Sequence, residues 1–127
     1  MNKPGQPVGA FLCDYATTLL ECGATTVRIE KNVGRIAEAY GCRAEVVIFP
    51  KHVEVVERSV STEERNIFVK TISHGGINYS TISDLSKLSW NCVDRMLPLE
   101  TARGEYQRIC QVKRLPSALV TLLTSLA

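Results

Sequence analysis

The sequence predicts an α+β domain in the order ααβββαα, with a three-stranded antiparallel sheet, closed by an apolar stub. Three observations predict it. Apolar residues recur every three or four positions before residue 41 and again after residue 78. Between them the pattern changes to β-branched runs over 43–49, 53–58 and 66–71. The links between those runs are too short for parallel crossovers, so the strands form a meander.

The first helix is predicted from about Gly9 to Cys22, with Leu12, Tyr15, Ala16, Leu19 and Cys22 on one face. Gly23 follows where a left-handed cap is favoured. Thr25 or Thr26 caps the next helix, which runs to Tyr40 with Ile29, Val33, Ile36 and Ala37 in its stripe. Gly41 ends it, and so tight a connection makes the two helices neighbours. Three strands with one apolar face then need a helical layer to cover them. Asn78 or Ser80 caps a third helix, reaching about Leu97, whose apolar side is Ile82, Leu85, Leu88, Cys92, Val93 and Met96. Pro98 opens a fourth helix at a position where its missing N–H costs nothing, and Leu99, Ala102, Tyr106 and Ile109 line it.

The chain divides into a Pro/Gly-rich N-terminus (1–8) expected to be disordered, a folded unit (9–114) and the stub (115–127). With 127 residues it can bury one sizeable core. A net charge of +2, with signs interleaved along the chain, argues against a nucleic-acid partner. The five cysteines, Cys13, Cys22, Cys42, Cys92 and Cys110, lack the paired spacing of a zinc site and the even count of a disulfide framework. They read as reduced core residues, and no metal or other cofactor is expected. The N-terminus is not a secretory signal, because Pro4, Gly5 and Pro7 precede the apolar run and Asp14 breaks it.

No catalytic site is expected. His52 and His74 fall in predicted turns, and no nucleophile–base motif surrounds either. Two polar clusters remain. Gly23, Thr26, Arg28 and Glu30 surround the start of the second helix, where free N–H groups favour an anion. A simple cap plus a surface ion pair accounts for them equally. Gly76 and Asn78 precede the third helix, where a flexible turn and a cap suffice. The stub is uncharged over 117–127 and follows Lys113 and Arg114, the arrangement found on the cytoplasmic side of a membrane helix. Eleven residues span only about 16 Å as a helix, too little to cross a bilayer. The alternative is a C-terminal amphipathic helix packing Leu119, Leu122, Leu123 and Leu126 on the domain or on a second copy.

The stretch from Cys22 to Cys42, the three strands, the segment from Gly75 through Leu88 and the closing LPSALVTLL together resemble the threonine/serine exporter family, in its N-terminal soluble domain. Gly23, Ala24, Thr26, Arg28 and Glu30 match its Gly-Ala-x-Thr-x-Arg-x-Glu pattern, and Gly76, Ile77 and Asn78 match a second motif. This chain departs from the family's pattern at Thr25, where Glu is common, and at Gly75, where Arg is common. The resemblance implies a domain on the cytoplasmic side of an inner membrane, preceding a bundle of membrane helices that a second membrane subunit can continue. It implies export of small amino acids, or of dicarboxylates such as succinate in some relatives. On this reading 115–127 begin a membrane helix, the domain gates or assembles the exporter, and homo-oligomers are expected. The competing readings are a small hydrolase-like enzyme and a freestanding regulatory domain. No dense polar constellation for a solute is visible along the chain.

Overall fold

The structure, a computed structural model, describes residues 7–62, 64–73 and 75–114. Four helices and three strands follow in the expected order: α1 (Val8–Glu21), α2 (Thr26–Ala39), β1 (Cys42–Ile48), β2 (His52–Ser59), β3 (Arg65–Thr71), α3 (Tyr79–Asp94) and α4 (Leu99–Arg114). The apolar stub lies outside the described residues, as does His74. No helix among the described residues is long and apolar enough to cross a membrane.

The sheet is antiparallel in the order β1-β2-β3. Its register sets Val46 opposite Val55 and Val55 opposite Phe68, so these side chains share the face that packs inward. The other face is open. It carries Arg43, Arg58 and Arg65 in one cross-strand row, then Glu45, Val56 and Ile67 in the next. α1 lies over β2 and β3, α2 lies over β1, and α3 and α4 form a layer behind the two helices. α4 rests chiefly on α3 and touches α1 along a short stretch.

α1 is the centre of this stack. Nine of its fourteen residues are buried, including Phe11, Cys13 and Thr17 as well as the predicted face. A helix flanked by a sheet and three other helices has little surface left for water. Residue 8, expected in the N-terminal tail, is its first helical residue, with Pro7 at the cap position. α3 is shorter than its apolar pattern suggests. It ends at Asp94, and Met96 turns the chain at a φ of 49°. Met96 therefore leaves the buried side, and Val93, still helical, lies off it; both stand exposed. His52, expected in a turn, begins β2 and stacks on Phe49 with ring centroids 4.4 Å apart.

All five cysteines are unbridged, and only Cys110 is not fully buried. Burial pushes the Cys13, Cys42 and Cys92 thiols up, Cys42 to about 11 with the Glu57 carboxylate adding to the effect. The thiolate is the reactive form, so these three resist alkylation while the fold holds. Iodoacetamide at neutral pH is expected to label Cys110 first. Peptide mapping that found Cys42 or Cys92 modified ahead of Cys110 would contradict the packing described.

Candidate functional site

The two predicted motifs come together, although the 45 residues between Glu30 and Gly76 separate them. Gly23 turns the chain from α1 to α2 at a φ of +98°. A Cβ there would meet the Ile77 side chain at 3.2 Å. The Asn78 N–H donates to the Cys22 carbonyl at 2.9 Å, fastening the entry of α3 to the exit of α1. Both following helices are capped at this seam. Thr25 Oγ1 accepts from the Arg28 N–H at 3.2 Å, and Asn78 Oδ1 accepts from the Thr81 N–H at 3.0 Å. Thr25, not Thr26, is thus the cap of α2. Thr26 is its first helical residue and exposed, as are Glu30 and Gly76.

Farther along the seam, Ser86 Oγ accepts from Arg28 Nη1 at 3.2 Å and from Asn32 Nδ2 at 3.0 Å. Arg35 Nη1 donates to Asn32 Oδ1 and to Ser89 Oγ, and its guanidinium lies 3.8 Å from the centre of the Trp90 ring. These groups satisfy one another between α2 and α3. Of the predicted residues, Gly23 and Asn78 join the elements, Arg28 reaches α3, and Thr26, Glu30 and Gly76 lie exposed beside them.

The polar constellation lies elsewhere, between α1, β3 and α4. A cleft of about 300 Å³ is lined there by Asp14, Thr18 and Glu21 from α1, Lys70 from β3, and Tyr106 and Cys110 from α4. Lys70 Nζ donates to Asp14 Oδ1 at 2.9 Å, and both side chains remain partly open to water. The Tyr106 hydroxyl donates to the Asp14 backbone carbonyl at 3.1 Å and sits 2.7 Å from Thr18 Oγ1. A phenol has one proton, so with that proton on the carbonyl the Thr18 hydroxyl is the donor of the shorter bond. Burial pushes the Tyr106 phenol far above its ordinary range and keeps it neutral. Glu21 Oε2 accepts from the Ser73 N–H at 2.7 Å, tying the exit of β3 to the end of α1.

This cleft gathers polar groups that lie far apart along the chain. The local sequence carries one trace of it: Asp14 is the only charge inside the apolar run of α1. Wider hollows flank the Arg43 and Arg58 end of the sheet: one runs between α2 and β1, lined by Gly34, Glu38, Cys42 and Ala44, the other lies among Arg43, Arg58 and Arg65 on the open face, where Arg58 stands 3.8 Å from Glu45. Among the described residues no group of three or more His, Cys, Asp or Glu side chains is placed to hold a metal ion. His52 lies 3.9 Å from Glu54 on the open face, away from the cleft.

A family model described as "Putative threonine/serine exporter" matches residues 10–127. No curated protein and no solved structure matches the chain significantly.

Proposed function

We propose a function from the premise that this chain belongs to the threonine/serine exporter family. It is the cytoplasmic domain of an inner-membrane exporter of small amino acids, and it works in gating and assembly. The observation that carries this is the family match itself, which runs without interruption through the folded domain and on through 115–127. The family is one of transporters.

Two features support the division of labour. α4 is the element that leads toward 115–127, and it packs along α3 and holds α1 through Tyr106, so a small shift of α4 would reach whatever follows it. For assembly, the open sheet face exposes Ile67 and Val69, a surface that favours burial against a second copy or a second membrane subunit. Dimerisation through that face is expected to be lost in Ile67→Glu, as read by light scattering. A mass unchanged by the substitution would remove the sheet face from the proposal.

Export is tested in cells. Expression of the natural gene is expected to lower the threonine content of cells loaded with a threonine dipeptide. A phosphatase fused ahead of α1, active only outside the cytoplasm, is expected to stay silent. Unchanged threonine retention would sink the transport reading, and an active fusion would sink the orientation.

A further inference from the structure

We propose that the cleft between α1, β3 and α4 binds a small α-amino acid as its zwitterion, held between Asp14 and Lys70. The inference rests on the exporter reading for its ligand class, and on the cleft for everything else.

The Asp14–Lys70 pair is a cation and an anion in direct contact at 2.9 Å, both partly solvated and facing one cavity. A zwitterion carries the same two charges in the opposite order. Entering between them, its ammonium meets Asp14 and its carboxylate meets Lys70. One exposed ion pair becomes two, and no charge is left without a partner. Exposed pairs are worth little, so opening this one costs little. The volume stands at the lower limit for ligand cavities and suits a solute of a few heavy atoms.

The remaining lining sets the selectivity. Asp14 and Glu21 bring two carboxylates against one ammonium, so the cleft is net negative. That repels a dicarboxylate and admits a neutral zwitterion. Thr18 and Tyr106 place two hydroxyl oxygens 2.7 Å apart in the wall, with lone pairs left to accept from a ligand hydroxyl. A site that hydrogen-bonds a hydroxyl discriminates against the isostere lacking it. Threonine is therefore favoured over valine, which has the same shape.

Cys110 lines the same cleft and serves as the reporter. The intact 127-residue chain is titrated with L-threonine, L-serine, L-valine and succinate, by calorimetry and by the rate of Cys110 alkylation. Threonine and serine are expected to bind with one site in the millimolar range or tighter and to slow alkylation. Valine is expected to bind at least about tenfold more weakly, and succinate not at all. Lys70→Gln and Asp14→Asn are each expected to weaken threonine binding at least about tenfold, and Lys70→Arg to retain it. Circular dichroism checks that each variant is folded.

Absence of both heat and Cys110 protection with threonine would overturn the proposal, whatever the variants do. So would threonine binding untouched by Lys70→Gln, or succinate binding more tightly than threonine. Efflux from cells separates the two levels of the reading. Efflux without binding by this chain overturns the cleft and leaves the exporter standing, whereas binding without efflux upholds the cleft and overturns export.

Discussion

Tyr15→Ala is expected to lower stability by about 3–5 kcal/mol, a large part of the roughly 5–15 kcal/mol that holds a domain of this size together. Tyr15 has no exposed surface. Its ring lies 6.1 Å from that of Phe11 and 6.5 Å from that of Tyr106, so it joins α1 to α4. Its hydroxyl donates to the Leu85 carbonyl and thereby reaches α3. Tyr15→Phe keeps the ring and loses only the hydrogen bond, at a cost of about 1 kcal/mol. Urea unfolding of the two variants separates ring from hydroxyl, and equal losses would refute this division.

The same burial makes the fold sensitive to alkali. Desolvation holds the Tyr15, Tyr40 and Tyr106 phenols well above their ordinary range. In the unfolded chain they ionise near pH 10, while in the fold they stay neutral. Their contribution is complete below that pH and is lost as pH rises above it. Stability followed against pH is expected to fall beyond about 10, with a shallower slope in Tyr40→Phe.

Gly23→Val carries the second large expected effect, about 2–4 kcal/mol. A β-branched residue at a φ of +98° is strained on its own account, and its Cβ would press on Ile77 at 3.2 Å. The strain falls where α1, α2 and the entry of α3 are joined, so relaxation would disturb the Asn78–Cys22 bond as well. Gly41→Ala is the control. Its φ is +76°, but no atom stands within 4 Å of the added Cβ, so only the backbone term remains. Equal losses at Gly23 and Gly41 would show that Ile77 does not matter.

How far the sequence could be read follows from the range of the interactions involved. The strands and the caps are local, and residue type and position narrow each cap to two candidates, of which the fold uses Thr25 and Asn78. The core stripes of α2 and α4 were equally plain, with Ile36 and Ala102 among the most buried residues. Reading one face for α1 missed that Phe11, Cys13 and Thr17 are also covered, although a helix with almost no charge carries that signal. Met96 misled because an apolar residue past a helix end has no face to share, and Val93 because it sits inside α3 but off the side that Leu85, Leu88 and Cys92 bury. The cleft was illegible for a different reason. Asp14, Lys70 and Tyr106 belong to three elements and to no common motif, so only tertiary packing brings them within reach. The seam shows the reverse: two short motifs were visible, and what the fold adds is that they meet.

The seating of α4 has a mechanical consequence. Tension applied at Arg114 would act on an arm bedded along α3 and latched to α1 by the phenol of Tyr106. A pull there would reach α3 and α1 before the sheet, because α4 packs on those two helices.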